Sequence, residues 1–229
     1  MKLKSFGCSF ISGDELPDHH VKFDNTGIID VRHSQLTFPA LLAKHLGLEY
    51  ECHAEGASGN LRIMRNIILE TQRDPEPAFY VVQWSMIERY DYTLYADWPI
   101  GSWKTIMAQS TGDDAEAYYR HLHSEYRDKL TTLININTAI DLLTSLNYRF
   151  LMTYTDGLMF CQKWNKDPVI MYFQDKVQKH LRSFGGEYFY HDSWYNWCLR
   201  NQWPRGPGGH PLELAHQETF KQIIASNWV

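Results

Sequence analysis

The sequence of 229 residues has few of the features that mark nucleic-acid-binding, membrane or secreted proteins. It contains no run of lysine or arginine long enough to follow a phosphate backbone, and its formal charge at pH 7 is −5, so we expect no nucleic-acid partner. No stretch approaches the roughly 20 apolar residues that span a bilayer, so we expect no membrane partner. The opening MKLKSFGCSF lacks a long apolar core and a small-residue cleavage site, which indicates a first strand of a cytoplasmic protein.

Cysteine is scarce, and its spacing is not that of a metal site. Four widely spaced cysteines form no CxxC pair, which favours reduced thiols: Cys8, Cys52, Cys161 and Cys198. Metal-ligating side chains concentrate in one polar loop: Asp14, Glu15, Asp18, His19 and His20, with His33 nearby. Because adjacent histidines on an extended loop diverge and no H-E-x-x-H spacing occurs, we interpret this loop as solvated and expect neither a metal ion nor a cofactor.

Strand-like and helical segments alternate along the chain. Runs rich in β-branched and aromatic residues predict strands at 3–10, 48–54, 78–84, 148–155 and 186–191. Helical periodicity separates them. The alternation predicts parallel strands joined by right-handed crossovers, and therefore an α/β fold, a three-layer α/β/α sandwich with a sheet of about five strands.

We predict a single domain over residues 1–229, because no linker, repeat or low-complexity tract interrupts the chain. Two long irregular insertions, at about 13–35 and 88–116, depart from the alternation, and connections of this length often shape a binding site. Aromatic residues make up 14% of the chain and are frequent in the second insertion, as in RYDYTLYADWPIGSW. They either pack the insertion onto the body or form a surface that stacks on sugars.

The stretch FGCSFISGDEL places Ser9 where the first predicted strand ends. Ligands of an open parallel sheet bind beyond the carboxyl ends of its strands. Gly7 lets the chain turn tightly, and a nucleophile on a tight turn is raised into solvent. Ser9 is therefore either a nucleophile or a serine that bonds its own turn.

A second group of small residues follows the second predicted strand. Gly56, Ser58 and Gly59 lead directly into a helix, where backbone N–H groups suit a developing oxyanion. Asn60 adds a side-chain donor. The alternative is that Ser58 or Asn60 only caps the helix.

Histidines close to the carboxyl terminus provide candidates for a base. His210 precedes Pro211, a residue type suited to opening a helix, so His210 should lie on the loop before the last helix. It is either a base or a surface residue. We interpret His216, within that helix, as a packed helix residue.

Together these segments resemble the SGNH (GDSL-type) hydrolase superfamily, within it a divergent branch found in phages and bacteria. Three sequence blocks of the superfamily have counterparts in this chain. Gly7-Cys8-Ser9-Phe10 is similar to its Gly-x-Ser block, FPALLAKHLGLEYECHAEGASGNLRIMR is similar to its middle block, and His210-Pro211 is similar to its closing block. The resemblance covers both ends and the first third of the chain. It implies a flavodoxin-like sheet and an ester-hydrolysing site, in which Ser9 attacks the carbonyl, His210 takes its proton, and the N–H groups of Ser9 and Gly59 hold the oxyanion.

The chain departs from the superfamily at the position of the acid. The residue three places before His210 is Pro207, so a backbone carbonyl or an acid from elsewhere must orient the imidazole. We name Asp192, which should emerge at the same edge of the sheet, with a purely structural role as the alternative.

A second departure follows the third strand, where the superfamily has an asparagine and this chain has Trp84-Ser85-Met86. Either Ser85 or Asn60 completes the oxyanion hole, and we favour Asn60. Trp84 and Ser85 are then expected to contact the substrate.

These observations predict a serine ester hydrolase whose partner is a small-molecule or glycan ester. The resemblance implies a small acyl group, acetyl above all, and the aromatic insertions favour a carbohydrate carrier. The alternative is a catalytically weakened module of the same fold that binds a glycan or a protein through those insertions.

Overall fold

The computed structural model describes residues 1–24, 27–93, 103–184 and 191–229. Its strands are β1 (Lys2–Phe6), β2 (His20–Asp24), β3 (Gly27–Arg32), β4 (Glu49–Cys52), β5 (Phe79–Trp84), β6 (Tyr90–Thr93), β7 (Trp103–Ile106) and β8 (Arg149–Tyr154). Its α-helices are α1 (Ser9–Ser12), α2 (Phe38–Leu46), α3 (Asn60–Arg73), α4 (Asp113–His121), α5 (Glu125–Ser145), α6 (Pro168–His180), α7 (Trp194–Arg200) and α8 (Glu213–Ala225). A 3-10 helix spans Gly157–Phe160.

The central sheet is parallel and runs in the order β4-β1-β5-β8. Its register pairs Leu3 with both Tyr50 and Phe79, and Phe79 with Arg149. Every residue of β5 is buried, as expected for a strand covered on both faces. Four of the predicted strands thus form the sheet, and the predicted strand at 186–191 lies outside the described residues except for its last position.

Alternate residues of the strands point into two separate cores. Tyr80, Val82 and Trp84 pack with the apolar faces of α3, α5 and α6, whereas Phe79 and Val81 pack with α1, α2, α7 and α8. This alternation is the two-residue period of a strand. The predicted three-layer α/β/α sandwich is confirmed.

Both predicted irregular insertions contain antiparallel hairpins. In the first, β2 pairs with β3, and in the second, β6 pairs with β7. The expectation of irregular structure was too simple, because short stretches such as IIDV and YDYT carry the residue types that favour strands. Across the described residues, no helix combines the length and the apolar character needed to cross a membrane.

Candidate active site

Ser9 lies at the carboxyl end of β1, as predicted. Cys8 has extended backbone angles and precedes the single turn of α1, whose first residue is Ser9. The N–H groups of Ile11 and Ser12 donate to the Cys8 carbonyl. The N–H groups of Ser9 and Phe10 therefore lie at the start of the helix and have no acceptor within it. Ser9 is 6% exposed, which leaves it a small accessible surface.

The loop that carries His210 packs against this turn. The His210 ring meets the Phe10 ring edge-on, with 5.3 Å between ring centroids. The loop closes on itself, because the Gly206 amide donates to the His210 carbonyl over 2.9 Å. Among the described residues, no hydrogen bond joins the Ser9 hydroxyl to His210, although Phe10 brings the two segments together. Catalytic hydrogen bonds are often long or poorly aligned in unliganded active sites and shorten when substrate binds.

A carboxylate binds the His210 ring, and it belongs to Glu15. Glu15 Oε2 lies 2.6 Å from His210 Nδ1. The same carboxylate accepts the backbone N–H of Gly208 over 2.7 Å and that of His210 over 3.2 Å. Hydrogen bonds from the Gly208 amide and from His210 lower the pKa of Glu15. Because Nδ1 contacts Glu15, Nε2 is the ring nitrogen available to a serine.

This arrangement corrects the prediction for Asp192. Asp192 is 2% exposed, and its Oδ1 lies 2.9 Å from Arg200 Nη2 on α7. The carboxylate that contacts the His210 ring instead belongs to Glu15, which we had assigned to a solvated loop. The glycines of GPGG around Pro207 were the available signal, because they leave room for a side chain from another segment.

The predicted oxyanion donor Gly59 is already bonded. Its N–H donates to Asp91 Oδ1 over 2.9 Å, and the Arg62 N–H donates to Asp91 Oδ2 over 2.9 Å. Thr105 Oγ1 also donates to Asp91, over 2.7 Å. Burial raises the pKa of Asp91. The N-terminus of α3 is thus capped by a carboxylate of β6, and the expectation of a free Gly59 amide is corrected.

Asn60 ties three elements together. Its Oδ1 accepts the Ser85 N–H over 2.7 Å, and its Nδ2 donates to the Ser85 carbonyl and to Thr132 Oγ1, each over 3.2 Å. These bonds link the end of β5 to α3 and α5, so the amide that we assigned to the oxyanion hole is engaged elsewhere. Trp84 and Ser85 are fully buried, and the predicted contact of these two residues with substrate is corrected on that ground.

A cleft of about 790 Å³ begins at Ser12, the last residue of α1, and Ser9, Glu15 and His210 are not among the described residues that line it. Ser12 and Asp14 line it from the segment after Ser9, and Gly56 lines it from the turn before α3. His19 and His33, which flank the β2–β3 hairpin, and Trp103 of β7 also line it. His19 Nε2 lies 3.0 Å from Ser12 Oγ. The two insertions therefore shape a cleft, as their lengths predicted.

In the described part of the chain, one group of side chains has the spacing of a metal site. Glu51, His53 and Glu70 bring one ligand atom each within 4.8 Å of the others. Lys4 Nζ lies 2.9 Å from Glu70, and Lys2 pairs with Glu51. Since these lysines supply the positive charge that the carboxylates need, a metal ion is not required here, and the group is distinct from the predicted polar loop.

His216 has the structural role that the sequence indicated. It is 1% exposed, and its Nδ1 accepts the Phe38 N–H over 3.2 Å. Burial lowers its pKa to about 3. A neutral imidazole thus joins α8 to the start of α2.

Comparison with known proteins identifies the fold. No family model and no curated protein matches the sequence. Similar solved structures include a member of the lipolytic protein G-D-S-L family from Veillonella parvula, at 9% identity and a TM-score of 0.50 over 98% of this chain and 97% of that chain. The psychrotrophic esterase EstA from Pseudoalteromonas sp. gives 9% identity and 0.52 over 99% and 97%. The acetyl xylan esterase Est2A from Butyrivibrio proteoclasticus gives 14% and 0.50 over 98% and 63%. The fold is that of the SGNH hydrolases, as the sequence resemblance predicted.

Proposed function

We propose that this protein is a serine ester hydrolase that removes a small acyl group, with Ser9 as nucleophile and His210 as general base. The observation that carries the proposal is the imidazole of His210, which is bound by a carboxylate at Nδ1 and lies against the residue next to Ser9. A serine, an imidazole and a carboxylate in this order have the roles that acyl transfer requires.

In the proposed reaction, Ser9 Oγ attacks the ester carbonyl while His210 Nε2 accepts the hydroxyl proton. The tetrahedral intermediate collapses, the bond to the alcohol breaks, and His210 returns the proton to the leaving oxygen. Water then attacks the acyl-serine with His210 again as base, which releases the acid and restores Ser9.

The backbone N–H groups at the start of α1 support the placement of the oxyanion near Ser9. Of the donors named from the sequence, Gly59 is bonded to Asp91 and Asn60 to Ser85. The Ser9 N–H therefore remains as the oxyanion donor in this proposal.

The substrate that we propose is an acetyl ester of a carbohydrate, with the sugar bound in the cleft that begins at Ser12, one helical turn after Ser9. The cleft carries charged and imidazole groups together with Trp103, a combination that suits the polar edges and apolar faces of a sugar better than a long acyl chain. One of the similar structures is an acetyl xylan esterase, which supports this substrate class.

A second candidate function is glycan binding without hydrolysis, because two features of the site are those expected of a weakened enzyme. Within the described residues, Ser9 and His210 share no hydrogen bond, and the Gly59 amide is engaged by Asp91. A module that binds a glycan in the same cleft without hydrolysing it would retain both features.

Hydrolysis of p-nitrophenyl acetate separates the two functions. We expect turnover by the wild type and its loss in Ser9→Ala, with Ser145→Ala as the matched control, since Ser145 is exposed at the end of α5. Equal slow rates for the wild type and Ser9→Ala would favour the binding module.

A further inference from the structure

The geometry points to Glu15 as the positioning residue of His210, so that the acid lies six residues after the nucleophile instead of three residues before the base. This inference rests on the proposed function and adds a residue to it. It places the nucleophile and the acid on one short segment at the end of β1, and only the base comes from the far end of the chain.

The contacts of the carboxylate are specific to the His210 loop. Among the described residues, three donors reach the Glu15 carboxylate, and all three belong to that loop: the amides of Gly208 and His210, and His210 Nδ1. One oxygen, Oε2, accepts both the His210 amide and the ring nitrogen. The bond therefore fixes the ring relative to its own backbone, which restricts rotation of the imidazole.

The loop has the shape that admits this side chain. A Cβ at Gly206 would lie 2.6 Å from Glu15 Cδ and from Oε2, closer than any side chain tolerates. Glu15 itself has a φ of +69°, a region that non-glycine residues rarely adopt. Backbone strain of this kind persists where surrounding contacts fix a functional geometry.

The proton chemistry follows from the ring nitrogen involved. With Nδ1–H donating to the carboxylate, the neutral ring carries its lone pair on Nε2, the tautomer that accepts a proton from a serine. When the imidazolium forms, the adjacent carboxylate stabilises its charge. No atom leaves Glu15, which stays ionised throughout.

Glu15→Gln tests this role with almost no change in volume. We expect kcat/KM for p-nitrophenyl acetate to fall about 10²–10⁴-fold, mainly in kcat, because an amide can favour the wrong tautomer. Glu15→Asp keeps the charge, and its rate should lie between those of Glu15→Gln and the wild type. Glu213→Gln is the matched control, because Glu213 is exposed on α8 and bonds Gln217.

Nitrogen-15 NMR of the unmodified protein gives a readout that needs no variant. We expect the neutral His210 ring to carry its proton on Nδ1, with a low-field proton signal that disappears in Glu15→Gln. A proton on Nε2 in the wild type would overturn the inference even if the variants failed to fold.

Labelling with a fluorophosphonate distinguishes this inference from the proposed function. If Ser9 of the wild type is not labelled and no ester is hydrolysed, the proposed function fails and the inference fails with it. If Ser9 is labelled, but folded Glu15→Gln hydrolyses ester at the wild-type rate, only the role of Glu15 is overturned.

Discussion

Two carboxylates from the inserted segments bind backbone amides in the same way but with different consequences. Glu15 accepts the amides of Gly208 and His210, and Asp91 accepts the amides of Gly59 and Arg62. Glu15 also contacts an imidazole and is an exposed residue. Asp91 instead adds a threonine hydroxyl and is 5% exposed.

The difference lies in what the third partner of each carboxylate can do. A half-buried histidine can exchange protons with a substrate, whereas Thr105 can only satisfy a buried charge. We therefore assign the Glu15 region to the proposed catalytic site, whereas the Asp91 region fixes the start of α3. The predictions below test this contrast.

The largest effect is expected at the base. His210→Gln removes the proton acceptor and should lower kcat/KM for p-nitrophenyl acetate about 10²–10⁴-fold. Since the ring is half-buried and the amides of Gly208 and His210 still bind Glu15 in this variant, the urea-unfolding midpoint should stay close to that of the wild type. If His210→Gln hydrolysed the ester at the wild-type rate, the Glu15 region would have no more part in catalysis than the Asp91 region.

Alanine substitutions of Gly206 and Gly59 should affect different properties, activity in the first case and stability in the second. In Gly206→Ala the new methyl group displaces Glu15 from His210. Because Glu15 is exposed, water can replace the donors that its carboxylate gives up, so we expect activity to fall about 10²-fold with a loss of stability below about 1 kcal/mol.

In Gly59→Ala the methyl group would lie 2.5 Å from Asp91 Oδ2, which is held by several donors. The carboxylate cannot move without breaking these bonds, so we expect a loss of about 1–3 kcal/mol in the free energy of unfolding. Urea unfolding and ester hydrolysis of both alanine variants check the pair, and an exchange of the two phenotypes would refute the contrast.

Asp91→Asn should destabilise the protein without abolishing turnover. The amide keeps one acceptor oxygen, so part of the helix cap is lost, at a cost of about 1–2 kcal/mol in the free energy of unfolding. The kcat of the folded fraction should stay within about threefold of the wild type, as expected for a residue outside the chemistry. A loss of turnover in the folded protein would assign Asp91 to the catalytic machinery.

The smallest effect is a difference in pH dependence. The pKa of Glu15 is lowered from 4.5 in the folded protein, so its stabilisation is present above pH 4.5 and is lost as the pH falls through the folded value. Burial raises the pKa of Asp91 above 3.8, so its ionisation opposes folding as the pH rises from 3.8.

The advantage of the wild type over Glu15→Gln should therefore grow as the pH rises from 3 towards 4.5. Its advantage over Asp91→Asn should shrink as the pH rises above 3.8. Unfolding free energies between pH 3 and 6 measure both, and slopes of the same sign would contradict the assigned environments.

Local patterns in the sequence predicted the layers of the fold and the positions of Ser9 and His210 in it. Strand periodicity and small residues at strand ends are local signals, and the edge of a parallel sheet collects them. Glu15 and Asp91 were missed because their hydrogen-bond partners are distant in the sequence. They lie up to 195 positions from Glu15 and up to 32 positions from Asp91. A local pattern such as GPGG indicates that a side chain can approach, but it does not identify the distant residue that does so. The burial of Trp84 and Ser85 was missed for a related reason, since Asn60 fixes the end of β5 through a contact 25 positions away.

The most direct test of the central claim is the site and rate of fluorophosphonate labelling, mapped by mass spectrometry. The account predicts a single adduct on Ser9 of the wild type, formed about 100-fold or more faster than in His210→Gln, since the base activates the hydroxyl. An adduct on another residue, or equal labelling rates in the two proteins, would contradict it.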